Sequence, residues 1–377
     1  MHLQSTANAA TTDSDGLFLG LISGTSMDGV DAALIRREGG GVKLVATRTM
    51  PYAPALRETL GALAADSAGD KTLAELGRAD GAVGEAFAEA AMELLADAGV
   101  ASDSVHAIGS HGQTILHRPD LGFSLQIGDP ARIAQITGVT TVADFRRADL
   151  AAGGEGAPLA PILHRALFSD TDEGRAVLNL GGIANLTLLA SSGLVRAFDV
   201  GPANTLLDAL ARETTGAACD RGGVLAASGQ VNEALLDALL ADAWFARPPP
   251  KSTGPEYFNL DWVRTHEATA GVGAGDLAAT LVELTAASIA RVLQGTNTTR
   301  LYCCGGGVHN PQLMRRLTAC LPGLRVTTTA ELGVDPDYVE AICFAWLAGE
   351  TLAGRPGNLP EVTGARSAVV LGAIYSP

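Results

Sequence analysis

Residues 17–35 read LFLGLISGTSMDGVDAALI: an apolar run, a small polar knot, then a second apolar run. Two runs of strand length joined this closely describe an antiparallel hairpin, yet a tight hairpin needs only about two turn residues. The knot holds Ser23, Gly24, Thr25, Ser26, Met27, Asp28 and Gly29, with Val30 and Asp31 opening the second run. Small residues, hydroxyls and carboxylates gathered in this way suit a backbone that must come close to something charged.

Working outward, Gly39-Gly40-Gly41 turns the chain into a third strand at 42–50. Three antiparallel strands therefore open the fold. Helical sequence follows at 56–65 and 73–98, then strands at 105–110 and 123–127, a helix from Pro130 and a strand at 140–144. Residues 176–214, AVLNLGGIANLTLLASSGLVRAFDVGPANTLLDALARET, repeat the opening: strand, Gly-Gly turn, strand, turn, strand, and a helix from about Ala203. A long helix at 277–294, a strand at 301–304 and a helix at 338–352 complete the second half. Asn310 and Pro311 mark another helix start, as cap and first helical residue. The repeated plan predicts a duplicated α/β architecture, with an N-terminal domain at 16–172 and a C-terminal domain at 173–377. Duplicated domains of this kind hold a ligand in the cleft between them. The first fifteen residues are polar, with neither a basic start nor an apolar centre, and are expected to form a disordered tail rather than a secretion signal.

Composition excludes several functions. The 377 residues are 47% hydrophobic and 18% charged, enough to bury substantial cores. A net charge of −15 argues against sequence-independent nucleic-acid binding and against an anionic membrane surface. The five cysteines form no CxxC pair and no even framework, which points to a reducing compartment and a cytoplasmic protein. No apolar stretch reaches the roughly 18 to 20 residues of a membrane span.

The usual phosphate motifs are missing. There is no Gly-Lys pair for a P-loop, and no GxGxxG lies between a strand and a helix. The knot is followed by a strand, so a phosphate there would be bound by a nest of hairpin amides and hydroxyls. A decorated turn is the competing reading. Three other turns weigh on the choice: 179–185 (NLGGIAN), 198–204 (FDVGPAN) with Asp199 at a strand end, and 304–310 (CGGGVHN) between a strand and a capped helix. The glycines of the last would let a flat ring or ribose lie against bare backbone. The seven histidines show no zinc-type spacing, so no dedicated protein-bound metal is expected.

Hairpin loop, acidic strand end and triple-glycine turn, in that order on a duplicated fold, resemble the actin, hexokinase and Hsp70 superfamily. The segments GLISGTSMDGVDAAL, GSHGQT, ADFRRADLAAGGEGAPL, NLGGIANLT, FDVGPANTLLDA, KSTGPEYFN and CCGGGVHNPQLM resemble the anhydro-N-acetylmuramic acid kinase family over nearly the whole ordered chain. Val200 and Ala203 stand where that family usually has Thr and Gly, and Pro255 where it has Arg. The resemblance implies an actin-like ATPase (ribonuclease H-like) fold. It also implies conversion of 1,6-anhydro-N-acetylmuramic acid, ATP and water into N-acetylmuramic acid 6-phosphate and ADP, in cell-wall sugar recycling by a homodimer.

On that basis residues 24–31 (Gly24, Thr25, Ser26, Met27, Asp28, Gly29, Val30, Asp31) would hold the phosphates of ATP, with Asp28 acting on Mg²⁺ through water. Gly181, Gly182, Gly201, Gly305, Gly306 and Gly307 would border the nucleotide. Asp199 would be the base for the attacking water, or alternatively the cap of the helix after it. His111, Gln113, Asp144, Arg146, Asn185 and Glu340 are the candidate sugar residues. Arg146 suits a lactyl carboxylate because its planar fork binds in bidentate fashion. Asp144 could instead orient Arg146, His111 could be a satisfied structural residue, and Glu340 a solvated helix acid. Two rivals remain: a sugar kinase acting on a free hydroxyl, and an ATP-gated interaction protein, under which GSHGQT and the DFR segment have no evident purpose.

Overall fold

The computed structural model describes residues 15–65 and 73–377; most of the expected N-terminal tail lies outside them. The chain folds as two units: one holds residues up to Leu163 and from Glu340 onward, the other His164–Val339. Among the described residues the first unit has strands β1 (Gly16–Ser23), β2 (Gly29–Glu38), β3 (Gly41–Pro51), β4 (Val105–Arg118), β5 (Phe123–Ile127), β6 (Thr141–Ala143) and, from the chain end, β12 (Ala373–Tyr375). The second has β7 (Gly174–Leu180), β8 (Ile183–Leu189), β9 (Val195–Pro202), β10 (Thr298–Cys304) and β11 (Arg325–Thr328).

The duplication is explicit in the strand order. In the first sheet β3, β2, β1, β4 and β6 lie side by side, and in the second β9, β8, β7, β10 and β11 do the same. Each begins as an antiparallel meander and continues with parallel strands beside its first strand. This is the duplicated α/β architecture that the repeated opening implied.

β1 is buried along almost its whole length because it is covered on both faces. Leu17, Leu19 and Leu21 share a core with Ala79, Val83, Phe87, Ala90, Ala91 and Leu94, a stripe at helical spacing on the helix Leu73–Ala98. Each such leucine contributes roughly 1.5–3 kcal/mol. The opposite face is set by absence of side chain. Gly20 and Gly109 pair across β1 and β4, and a Cβ on either would stand 1.8 Å from Ala341 O or 2.0 Å from Phe344 O. The helix Val339–Leu352 thus lies with its backbone on bare sheet.

That helix corrects the expected domain division. The chain enters the second unit at His164, earlier than 173, and residues 340–377 return to the first unit instead of ending the second. The causes are the glycine seat, the pairing of β12 with β6, and buried Arg37, which binds Trp346 O at 2.9 Å and pairs with Glu350 at 2.5 Å.

In the second unit the buried helix Ala274–Leu293 packs against the sheet. It also fixes the end of β9, with Thr285 Oγ1 donating to Pro202 O at 3.0 Å. Asn310 caps the helix Pro311–Cys320 as its sequence predicted, its side chain accepting from the amides of Gln312 and Leu313.

Candidate active site

The polar knot is the β1–β2 connection. Gly24, Thr25, Ser26 and Asp28 are exposed, Met27 N donates to Gly24 O at 3.2 Å, and Met27 has a φ of 53°. A left-handed non-glycine residue costs energy that the surroundings must supply. They do so from below. Ser23 Oγ donates to Gln113 Oε1 at 2.6 Å, and Gln113 Nε2 donates to Gly24 O at 3.2 Å. Tyr52, whose hydroxyl is pushed up to about 12 by burial, donates its amide to Asp28 O at 3.1 Å. Gln113 is fully buried, and both ends of its side-chain amide brace the loop. At the rim, Asp28 is ion-paired with Arg57. Val30 is core, and Asp31 accepts from Thr49 Oγ1 at 2.6 Å.

The second polar group of this unit gathers at the end of β6. Arg146 Nε and Nη2 reach His111 Nε2 at 3.1 and 2.9 Å, and Nη1 donates to Gly156 O at 2.7 Å. His111 Nδ1 lies 3.0 Å from Gly112 O, so the proton sits on Nδ1 and Nε2 accepts. Burial and the adjacent guanidinium hold His111 well below its ordinary pKa and keep it neutral. His111 is therefore the holder of Arg146. A second N–H on Nη1 and one on Nη2 have no hydrogen-bond partner among the described residues. Burial lowers the Arg146 pKa, with the charge of Glu340 opposing. Glu340 is accessible to solvent but ringed by protein, and desolvation raises its carboxyl, with Arg146 lowering and Asp31 raising it. Asp144 pairs with Arg147 at 3.4 Å and does not orient Arg146. It has a φ of 62°, and burial raises its pKa against the pull of Arg147.

In the second unit, Asp199 lies inside β9 and caps nothing. The helix Asn204–Thr215 has Ala203 at its N-cap, with no side-chain cap bond. Its first amides are instead taken by the β7–β8 turn, Ala203 N and Thr205 N donating to Gly182 O and Asn204 N to Gly181 O. The Asp199 carboxylate is held from two sides, by the Asn185 amide on Oδ1 and by Thr253 N on Oδ2 at 2.8 Å. Asp199 N in turn donates to Lys251 O at 3.0 Å. Burial raises its pKa; the Thr253 and Asn185 bonds lower it, Glu256 raises it and Lys251 lowers it. The segment 251–254 thus pins Asp199, a role its sequence did not disclose.

The glycine turn after β10 is shaped by close packing. Gly305 has a φ of 79°, and a Cβ there would stand 2.3 Å from Asn179 Oδ1; on Gly307 it would stand 2.6 Å from Leu180 Cβ. Gly306 between them is exposed with nothing within 4 Å. Gly181 and Gly182 have only ordinary contacts. Gly201 differs: it is buried, with a Cβ position 2.8 Å from Phe245, and offers no open edge.

The family model for anhydro-N-acetylmuramic acid kinase matches residues 16–377. The chain belongs to that family. It is 55% identical over 375 residues to the anhydro-N-acetylmuramic acid kinase of Xanthomonas campestris pv. campestris (strain 8004), covering 98% of this chain and 99% of that one. It is 56% identical to the one from Xanthomonas axonopodis pv. citri (strain 306), covering 95% and 98%. For the one from Coxiella burnetii (strain Dugway 5J108-111) the identity is 50%, covering 95% and 97%. As a member of the anhydro-N-acetylmuramic acid kinase family the chain is an enzyme, a kinase.

Two departures from the family pattern are matters of packing, since Val200 and Ala203 both lie in the core of the second unit. Pro255 occupies the second position of a turn in which Tyr257 N donates to Gly254 O at 3.1 Å, a place that its fixed φ suits. Among the described residues no three His, Cys, Asp or Glu side chains converge to hold a metal, and no helix is long and apolar enough to cross a membrane.

Proposed function

We propose that this kinase opens 1,6-anhydro-N-acetylmuramic acid hydrolytically and phosphorylates it, giving N-acetylmuramic acid 6-phosphate and ADP in the recycling of cell-wall sugars. The observation that carries the reading is Asp199: a half-buried carboxylate, fixed through both oxygens, with its proton affinity raised. Such a group is poised as a general base for water. Water attacks the anomeric carbon and its proton passes to Asp199. The electron pair of the broken C–O bond stays on the 6-oxygen, which takes the γ-phosphoryl group as ADP departs.

Each unit supports its own share of this chemistry. The exposed 24–28 loop, with Gln113, Ser23 and Tyr52 beneath it, presents backbone and hydroxyls to phosphate oxygens, the main demand of phosphoryl transfer. Asp28 suits a magnesium ion bound mainly by nucleotide phosphates, since such an ion needs only one or two protein carboxylates. Magnesium, when bound, supplies neutralisation of phosphate charge. The two unpartnered N–H groups of Arg146 are on adjacent nitrogens, the fork that a lactyl carboxylate fits. Asp144 and Glu340, carboxyls with raised proton affinity, serve sugar hydroxyl or amide groups. Gly306 and the outer edge of the 181–182 turn leave room for the nucleotide.

A coupled ADP-release assay tests this reading. Anhydro-N-acetylmuramic acid should support turnover, while N-acetylglucosamine, N-acetylmuramic acid and glucose should give little. Equal turnover on glucose would favour a conventional sugar kinase.

A further inference from the structure

The reaction as described gives no part to Glu256, a carboxylate on the loop that pins Asp199. Glu256 sits at the third position of the turn 254–257, behind Pro255, where Tyr257 N and Phe258 N both donate to Gly254 O at 3.1 and 3.0 Å. The turn folds its side chain back over the loop: Oε2 and Oε1 lie 2.2 and 2.6 Å from where a Cβ on Gly254 would be. The preceding residue, Thr253, gives its amide to Asp199 at 2.8 Å. One short stretch of backbone thus carries both the clamp on Asp199 and a second carboxylate. Glu256 is exposed, and its side chain has no ion pair or hydrogen bond among the described residues.

We propose that Glu256 is the outlet for the catalytic proton, accepting it from Asp199 after water attack and releasing it to solvent. The inference rests on Asp199 being the base. In the chemical step a water O–H bond breaks, the oxygen bonds the anomeric carbon, and the proton goes to Asp199. The C–O6 pair moves to O6, which bonds the γ-phosphorus as the bond to ADP breaks with its pair. Protonated Asp199 then passes its proton to the Glu256 carboxylate, and Glu256 loses it to bulk solvent or buffer. Base and outlet are both restored, and the proton balance closes.

The electrostatics agree with this placement. The charged groups acting on Asp199 are Glu256, which raises its proton affinity, and Lys251, which lowers it. Lys251 is itself held aside, its ammonium donating to Phe245 O at 3.2 Å and lying 4.3 Å from the Trp244 ring centroid. Glu256 acts through Asp199 and is therefore a positioning residue.

The test is the pH–rate profile of Glu256→Gln in full-length enzyme with ATP and the anhydro-sugar. Removing the negative charge makes Asp199 easier to deprotonate, so the acid limb of kcat/KM should move to lower pH. In dilute buffer kcat should fall several-fold, with KM for both substrates unchanged, and millimolar imidazole should restore it without affecting the parent. Glu256→Asp should keep most of the rate. An acid limb that stays in place, or a lost rate that imidazole does not restore, overturns the proposal. The underlying reading fails separately: an active Asp199→Asn enzyme removes the base itself, whereas an inactive one beside a Glu256→Gln enzyme of parental profile removes only the outlet.

Discussion

The two sheets begin with equivalent hairpins and finish them in opposite ways. In the first unit the β1–β2 connection is long, exposed and hydroxyl-rich, and its shape is kept by buried groups beneath it. In the second unit two glycines join β7 to β8, and their carbonyls receive the first amides of the following helix. One turn leaves its backbone available to a ligand; the other uses its backbone to place a helix. The duplication preserved strand order while the turns diverged. Because the second turn starts the helix, Asp199 is left free of capping inside β9.

The largest expected effect breaks the second half of that comparison. Asp199→Asn keeps size and shape but cannot take a proton, so turnover should fall about 10²- to 10⁴-fold while thermal melting stays near the parent value. A folded variant within a few-fold of parental ADP release removes Asp199 from catalysis. The next attacks the first half. A Cβ at Gly24 would have its nearest neighbour, Ser26 Oγ, at 4.0 Å, so Gly24→Val should fold. Its branched side chain should nevertheless cover the backbone offered to phosphate and weaken ATP binding at least about tenfold by calorimetry. Unchanged ATP affinity would make the knot a decorated turn.

Arg146→Lys should give a smaller, selective effect. A point charge replaces the fork, so affinity should drop for anhydro-sugars carrying the lactyl carboxylate and much less for anhydro-N-acetylglucosamine. Equal losses for both would take Arg146 out of carboxylate recognition. The smallest effect concerns the glycine turn and is one of stability. Gly305→Ala meets Asn179 at a φ of 79° and should lower stability by about 1–3 kcal/mol in denaturant unfolding. Gly306→Ala, in open space, should stay within about 0.5 kcal/mol of the parent. Equal costs at the two positions would mean that the turn is not shaped by its approach to β7.

What could be read in the sequence was local. The helix Leu73–Ala98 was legible from its apolar spacing and the cap at Asn310 from its chemistry, and the doubled meander declared the fold. β4 runs on to Arg118 where the sequence suggested an end at 110. The polar stretch 111–114 hides the strand, and Gly112 takes a φ of 76° as it passes. The return of 340–377 to the first sheet depends on a seat made by Gly20 and Gly109, and a missing side chain leaves no pattern to read. Within the site, residue types were legible and partners were not. Gln113 turns inward to Gly24, His111 is committed to Arg146, and Asp199 is held by an amide far along the chain at Thr253.

The central claim is that water opens the anhydro ring while the freed 6-oxygen is phosphorylated, and one measurement reaches it directly. The reaction is run in heavy-oxygen water with ATP and 1,6-anhydro-N-acetylmuramic acid, quenched early, and the product fragmented by mass spectrometry. The account predicts N-acetylmuramic acid 6-phosphate with one solvent oxygen at the anomeric carbon and none in the phosphoryl group. A phosphorylated sugar whose anhydro ring is intact, or solvent oxygen found in the phosphoryl group, would contradict it.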